Sequence, residues 1–170
     1  MAIRTILHYP DKRLRTPGIS VSDFGPEFQA LFEDMAETMY AAPGVGLAAP
    51  QIGVAVRLFV IDIAGSDEPS ELQVFVNPRI VEAVGELCWD EGCLSFPGVT
   101  EEIVRAERVT VHAQDRYGKP FVLEAEGLLA IAIQHENDHL DGKLMVDHLG
   151  MLKRRMIDRA MRKKAAEANL

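Results

Sequence analysis

The sequence predicts an α+β fold in which mostly antiparallel sheets pack around a central helix, and a further helix ends the chain. Segments typical of strands and of helices are partly segregated along the sequence, and a turn joins two strand segments as in a hairpin. No internal repeat, low-complexity tract or linker interrupts the 170 residues, a length that suits one domain with a sizeable core. We therefore expect a single domain over residues 1–170.

The first helix is predicted over residues 26–40. Its apolar side chains recur at helical spacing, and they are Phe28, Leu31, Phe32, Met35 and Met39. Pro26 suits the first turn of a helix, and Pro43 ends it. The methionines are interpreted as core filler. Residues 44–51 follow and are too rich in glycine and small residues for a helix.

Strands are predicted next, over residues 57–63 and 73–77, with residues 79–84 continuing the sheet. Residues 104–114 and 121–126 are predicted to pair. The turn between them falls at residues 116–120, which include glycine and proline. This hairpin supports antiparallel pairing.

Two helices are predicted in the last third of the chain. In residues 127–141, Leu128, Ile131, Ala132 and His135 share a face, and Gly142 follows as a stop signal. The last helix covers about residues 148–166. Residues 150–170 carry a net charge of +5, within a total of −8 for the chain. An acidic body with a basic tail indicates that the tail meets an anionic partner.

The cysteine content and the start of the chain indicate the compartment. Cys88 and Cys93 are the only cysteines, five residues apart, and could form a disulfide or be two inert buried thiols. Their short spacing in a cysteine-poor chain favours a reducing compartment. Charged residues interrupt the first 13 residues before a signal sequence could form, and no apolar run approaches the roughly 18 residues of a membrane span. We expect a cytoplasmic protein that does not contact membranes.

The strongest local signal is the pentapeptide HENDH at residues 135–139. Side chains four apart lie on one face of a helix, so His135 and His139 can bind one metal ion, and Glu136 can reach a water on that ion. Two surface histidines on an acidic helix, or two hydrogen-bonded core histidines, are the alternatives. The apolar flank at residues 128–133 predicts a buried helix, which favours the metal.

A third protein ligand is expected, because catalytic divalent sites usually take three and leave a position open. Cys93 offers it, although a free cysteine is also commonly a small buried hydrophobe. Cys88 has no comparable context and is interpreted as inert. Residues 44–51 could be a Gly-rich turn; they are not a phosphate loop, because no Lys-Ser/Thr follows the glycines.

Taken together, these three segments resemble the peptide deformylase family. That family carries the stretches G-x-G-x-A-A-x-Q, E-G-C-x-S and H-E-x-x-H in this order, the last with an aspartate before its final histidine. They match residues 44–51, 91–95 and 135–139, with Asp138 as the acidic residue of the last stretch. The resemblance extends over nearly the whole chain, and the combination is far more specific than H-E-x-x-H alone.

The resemblance implies a role for each matching position. Cys93, His135 and His139 would bind the metal, so that the helix over 127–141 is the metal-binding helix. Glu136 would act as general base and then as acid, while Gln51 and the backbone N–H of Leu94 would face the oxyanion. The implied substrate-binding residues are Gly44, Val45, Gly46, Trp89, Glu91, Leu128 and Ile131. Some relatives carry an arginine after the second motif, which residues 96–100 lack.

The resemblance also implies the reaction, the cofactor and the partners. The reaction is hydrolysis of the N-formyl group from the N-terminal formylmethionine of nascent polypeptides, with release of formate. One divalent ion is expected, Fe²⁺ natively, for which Zn²⁺, Ni²⁺ or Co²⁺ can substitute. The basic C-terminal helix would dock on ribosomal RNA, or it is a solvated helix face. We expect a monomer.

Two other functions fit parts of the sequence. A general zinc peptidase is supported by H-E-x-x-H alone and would cleave internal peptide bonds. A non-catalytic metal-binding or ribosome-associated module would lack an open metal position. The presence of Glu136 and Gln51, neither of them a structural ligand, argues against the second alternative.

Overall fold

The computed structural model describes residues 2–65 and 67–168, so the predicted domain limits at residues 1 and 170 lie outside the described residues. Within these residues the chain forms three α-helices, which are α1 (Pro26–Ala41), α2 (Gly127–Leu140) and α3 (Met151–Ala168). The strands are β1 (Gly46–Ala48), β2 (Leu58–Ile61), β3 (Gln73–Val84), β4 (Leu87–Gly92), β5 (Thr100–Arg105), β6 (Arg108–Gln114) and β7 (Pro120–Glu126). Short 3-10 helices span Lys12–Arg15, Ala49–Ile52 and Met145–His148.

The named strands form two sheets, and every pair in them is antiparallel. The larger sheet has the order β1-β2-β3-β6-β7, and β4 pairs only with β5. Strand β3 joins the two predicted segments at residues 73–77 and 79–84 into one strand, with a register shift between Val76 and Arg79. At this irregularity Asn77 has a φ of 50°. The α+β class with mostly antiparallel pairing is confirmed.

The hairpin of β4 and β5 was not predicted. The prediction of one strand over residues 104–114 was wrong at its start, because β5 ends at Arg105 and β6 begins at Arg108. Acidic residues are depleted in strands, and the sequences of β4 and β5 contain four of them. Only alternate positions of β5, Ile103 and Arg105, are buried, so the hydrophobic signal was weak.

Helix α2 is central, because it contacts β1, β2, β6 and β7. Four consecutive residues of this helix are buried, Ala130, Ile131, Ala132 and Ile133, as the apolar flank predicted. The helix ends where Gly142 takes a φ of 74°. A Cβ at that position would lie 2.6 Å from the Arg15 carbonyl oxygen, so both the turn and the packing require glycine. The histidine-bearing helix is thereby fixed on several sides.

Helix α1 covers the other side of β1 and β2. Phe28, Phe32, Met35 and Met39 are buried there with Leu47, Leu58 and Val60, which confirms that these methionines fill the core.

Helix α3 begins three residues later than the predicted start at about residue 148. A 3-10 turn occupies Met145–His148, and Leu149 is extended before the helix starts. Within α3 only Ile157 and Met161 are buried, against a cluster that includes Leu14, Phe96 and Ile103. None of the described helices combines the length and the apolar character that crossing a bilayer requires.

Candidate metal centre and active site

Three side chains converge at the centre of the molecule. The ligand atoms of Cys93, His135 and His139 all lie within 4.8 Å of one another, and Cys93 Sγ is 3.5 Å from His139 Nε2. A tetrahedral ion with bonds of about 2.3 Å to sulfur and 2.0–2.1 Å to nitrogen holds such atoms about 3.5 Å apart. The histidines come from successive turns of α2, and the cysteine follows β4. The structure therefore brings the three predicted ligands together.

The electrostatic environment fits a cation. Burial disfavours a charge on His135, but the Cys93 sulfur and the carboxylates of Glu91 and Glu136 outweigh it and raise the pKa of His135 well above its usual range. The site thus attracts positive charge. Burial and the nearby His135 lower the pKa of His139 well below its usual range. These donors fit a divalent metal.

A buried chain of ion pairs lies behind the histidines. His135 Nδ1 is 2.9 Å from Glu91 Oε1, which leaves His135 Nε2 to face the metal site. Arg105 donates to both oxygens of Glu91, and it donates to Asp138 at 3.0 Å. Asp138 in turn contacts His148 Nε2 at 2.7 Å. Partners of this kind orient metal-binding histidines. Arg105 was not singled out from the sequence, because it lies outside all three motifs.

Glu91 was predicted to bind substrate. It lines the cleft, but its two carboxylate oxygens are taken up by Arg105 and His135, and the residue is buried. The hydrogen bonds of Glu91 support a role in orienting His135, in place of direct contact with the substrate.

Glu136 projects from α2 beside the ligands. The residue is 5% exposed, and its Oε1 atom has no hydrogen-bond partner among the described residues. Burial raises the pKa of Glu136 to about 7, although the charges of His135 and Arg105 oppose the shift. A carboxylate with a pKa near neutrality suits a group that accepts a proton and then donates it. Gly46 leaves room for it, since a Cβ there would lie 2.6 Å from Glu136 Oε2.

Gln51 lies in the 3-10 helix after β1 and is held at both ends of its amide. Its Oε1 accepts from the Ala48 N–H at 2.9 Å, and its Nε2 donates to Ser95 Oγ at 3.1 Å and lies 3.7 Å from Cys93 Sγ. The N–H of Leu94 takes part in none of the hydrogen bonds among the described residues. Both predicted oxyanion donors therefore adjoin the cysteine. Ser95 is fully buried here and was not singled out from the sequence.

A cleft of about 820 Å³ opens onto these residues. All seven predicted substrate-binding residues line it, together with Gln51, Cys93, Leu94, His135 and Glu136. His139 does not line it. The cleft also includes Ile6 and His8, which the sequence analysis missed because that segment contains no recognisable motif. It includes the turn at residues 96–99 as well, which the resemblance indicated only through the arginine that it lacks.

Known peptide deformylases match this chain over nearly its full length. The family model described as polypeptide deformylase matches residues 3–155. A peptide deformylase of Chromobacterium violaceum is 52% identical over 164 residues, which cover 96% of this chain and 97% of that protein. A crystal structure of a peptide deformylase from Legionella pneumophila is 54% identical, with a TM-score of 0.91 and 99% coverage of both chains.

A further crystal structure holds a ligand. The peptide deformylase from Ehrlichia chaffeensis in complex with actinonin is 36% identical, with a TM-score of 0.91 over 96% of this chain and 98% of that chain. The match of the family model to nine-tenths of the sequence, the identity of about one half to relatives and the shared fold agree with the resemblance carried by the three motifs. This chain belongs to the peptide deformylase family.

Proposed function

We propose that this chain removes the formyl group from the N-terminal formylmethionine of new polypeptides and releases formate. Members of the family are metal-dependent hydrolases that act on formylated nascent peptides. The observation that carries the proposal is the convergence of Cys93, His135 and His139, of which the first two line the cleft together with Glu136. We further propose that residues 1–170 act as one catalytic domain.

Glu136 is proposed as the proton carrier. When bound by Cys93, His135 and His139, a divalent ion would lower the pKa of a water ligand from 15.7 to about 7. Glu136 accepts a proton from the attacking water as its oxygen bonds to the formyl carbon. The C–N bond then breaks, Glu136 passes that proton to the departing nitrogen, and formate leaves. The pKa of about 7 allows both transfers near neutral pH.

Gln51 and the Leu94 N–H are proposed to stabilise the charge that grows on the formyl oxygen. Because the Ala48 N–H holds Gln51 Oε1, the amide nitrogen of Gln51 faces the side of Ser95 and Cys93. The Leu94 N–H donates to no acceptor among the described residues, so it is available to a substrate oxygen. Donors fixed in advance are effective, and losing one typically costs about 10²–10³ in rate.

An apolar wall is proposed to hold the methionine side chain. Val45, Trp89, Leu128 and Ile131 line the cleft, and the first two are 51% and 42% exposed, so they are free to contact a ligand. Burying a methionine side chain contributes roughly 1.5–3 kcal/mol. Gly44 and Gly46 also line the cleft, and they leave room for Leu94 and Glu136, from which a Cβ would lie 2.7 Å and 2.6 Å away.

The native metal is proposed to be Fe²⁺. Two imidazoles and a thiolate suit Fe, Zn, Co or Ni, and the resemblance to the family favours iron. Anaerobic purification followed by elemental analysis and activity measurement tests this choice. Stoichiometric zinc in a fully active protein would overturn it.

The C-terminal helix is proposed to dock on ribosomal RNA. Arg155, Arg159 and Lys163 recur every four residues on one exposed face of α3 and enter none of the ion pairs among the described residues. Lys and Arg contacts to phosphates weaken steeply with salt. Replacing these three residues by glutamate should abolish salt-sensitive co-sedimentation with ribosomes, and unchanged co-sedimentation would favour a solvated face. Deleting the helix is a poorer test, because Ile157 and Met161 are buried.

The enzyme is proposed to act as a monomer and in the cytoplasm. All three ligands and both oxyanion donors come from one chain, so the site needs no partner subunit. Light scattering on the metal-loaded protein tests the oligomeric state, and a stable dimer at assay concentrations would contradict it.

A direct assay separates this function from its alternatives. The protein loaded anaerobically with Fe²⁺ or Ni²⁺ is incubated with formyl-Met-Ala and, separately, with casein. Release of formate without cleavage of casein is the expected result. Cleavage of casein would identify a general peptidase, and binding of metal without either reaction would identify a non-catalytic module.

A further inference from the structure

The cleft is larger than the chemistry described above requires. Its volume of about 820 Å³ lies in the upper part of the range for drug-sized ligands, about 300–1,000 Å³. Part of its wall comes from the segment before α1, through Ile6 and His8. None of the roles proposed above involves this segment, so a formyl group and one methionine side chain do not account for it.

Backbone hydrogen bonds hold this N-terminal segment against the two loops that carry the oxyanion donors. The Leu7 N–H donates to the Gln51 carbonyl at 2.7 Å, and the Tyr9 N–H donates to the Ser95 carbonyl at 2.9 Å. Leu7 is buried, whereas Ile6 and His8 line the cleft. The position of His8 between two anchored residues fixes the backbone that carries its imidazole at the wall of the cleft.

His8 is also one of the side chains of the cleft lining that can donate a hydrogen bond, together with Gln51, Trp89 and Thr100. The lining contains no lysine or arginine among the described residues, and its carboxylates are those of Asp90, Glu91 and Glu136. Carboxylates do not donate to a peptide carbonyl, but an imidazole N–H does. Such a bond is independent of the side chain that the peptide carries, which suits an enzyme that meets many different sequences after the first methionine.

We propose that His8 is a substrate-binding residue whose imidazole N–H donates to the backbone carbonyl of the residue after methionine, with Ile6 and Pro97 as the adjoining apolar wall. This inference rests on the proposed function. The formyl group occupies the corner of Cys93 and Gln51, and the methionine side chain takes the wall formed by α2. The rest of the peptide then leaves along the walls that remain, which are the N-terminal segment and the turn at residues 96–99.

The test compares two substrates on the full-length, metal-loaded enzyme. Formyl-Met-amide ends before the proposed carbonyl, whereas formyl-Met-Ala-Ser-amide contains it. The measured quantity is the KM of formyl-Met-amide divided by the KM of formyl-Met-Ala-Ser-amide. His8→Ala should lower this ratio about 3- to 10-fold, because the longer substrate loses one hydrogen bond. His8→Gln keeps an N–H donor and should restore much of it. His112→Ala is the matched control, because His112 is exposed on β6 outside the cleft.

The alternatives are distinguishable. If His8→Ala leaves the ratio unchanged, either because neither KM changes or because both change equally, the proposed subsite is wrong. If His8→Ala does not fold, the same two KM values are measured for His8→Glu. The glutamate carboxylate repels the substrate carbonyl oxygen, so the ratio should also fall in this variant. If the unchanged protein turns over neither formylated substrate, the proposed function fails, and the subsite fails with it.

Discussion

At the scale of single residues, Glu136 combines two properties that seldom coexist in a carboxylate. It is buried with one oxygen unpartnered among the described residues, and its pKa is raised to about 7. A structural carboxylate would have its oxygens occupied, as both oxygens of Glu91 are. This contrast between the two buried acids supports proton transfer by Glu136 and a positioning role for Glu91.

Replacement of Glu136 by glutamine tests its proposed role. The change preserves the shape of the side chain and removes the proton acceptor, so kcat should fall about 10²- to 10⁴-fold. Metal content should stay at the level of the unchanged protein, because Glu136 is not among the three ligands. Elemental analysis and formate release measure the two quantities. Activity above a tenth of that of the unchanged protein would rule out the assignment.

Arg105 is the residue on which the buried ion pairs depend. Replacing it by methionine leaves Glu91 and Asp138 without their shared cation in the interior. Losing one partner of a buried pair typically lowers the free energy of unfolding by about 3–5 kcal/mol. Denaturant titration measures the loss. Arg108→Met at the exposed start of β6 is the control and should change stability little; a similarly small effect at Arg105 would contradict the prediction.

At the scale of elements, the close approach of β1 to α2 sets the width of the site. Gly46 lies against the buried Glu136 side chain, and a Cβ there would lie 2.6 Å from Glu136 Oε2. Gly46→Ala should therefore displace the carboxylate and reduce kcat by up to about 10²-fold, with the fold retained. Gly150→Ala is the control, because a Cβ there meets nothing within 4 Å. Full activity of Gly46→Ala would show that the strand can retreat.

The elements differ in how well the sequence predicts them. Helices α1 and α2 agree with the predicted ranges to within one residue, because apolar side chains at helical spacing and a Pro or Gly stop signal mark each of them. The β4–β5 hairpin has no such signal, since buried Arg105 and Glu91 satisfy each other in place of an apolar pair. Partners brought together by folding are not readable from either segment alone.

At the scale of the whole molecule, the stability in acid should depend on Asp62. Burial would raise its pKa, but hydrogen bonds from Tyr40, Ser70 and the backbone of Ala64 and Glu71 outweigh burial and hold the pKa below its usual value. A depressed pKa in the folded state gives stability that is complete above the pKa of the unfolded chain, about 3.9. This stability is lost as the pH falls through the lower folded-state value.

Thermal unfolding of Asp62→Asn between pH 2 and 7 measures this contribution. The variant should be less stable at pH 7 and should lose less additional stability on acidification than the unchanged protein. Asp67→Asn, in the same loop but exposed, should follow the unchanged protein. Parallel stability curves for Asp62→Asn and the unchanged protein would exclude Asp62 as a source of the acid dependence.

Like the helices and strands, the residues of the candidate site are predictable only where a local sequence pattern marks them. Its ligands and oxyanion donors lie in three short motifs, and the structure brings those motifs together. Ser95 lies in the second motif, but its hydrogen bond to Gln51 joins distant segments and is not readable from the sequence. Arg105 and His8 could not be assigned, because their proximity to the site depends on contacts between distant segments. Sequence motifs thus indicated the reacting groups, whereas the residues that hold them became visible only after folding.

The packing of α3 has a consequence for biosynthesis. Cys93 adjoins the apolar cluster that Ile157 and Met161 complete from the final helix. Those residues are translated after all three motifs, so a growing chain lacks the support beneath its sulfur ligand until α3 has been made. We expect capture of the metal to await the synthesis and docking of that helix.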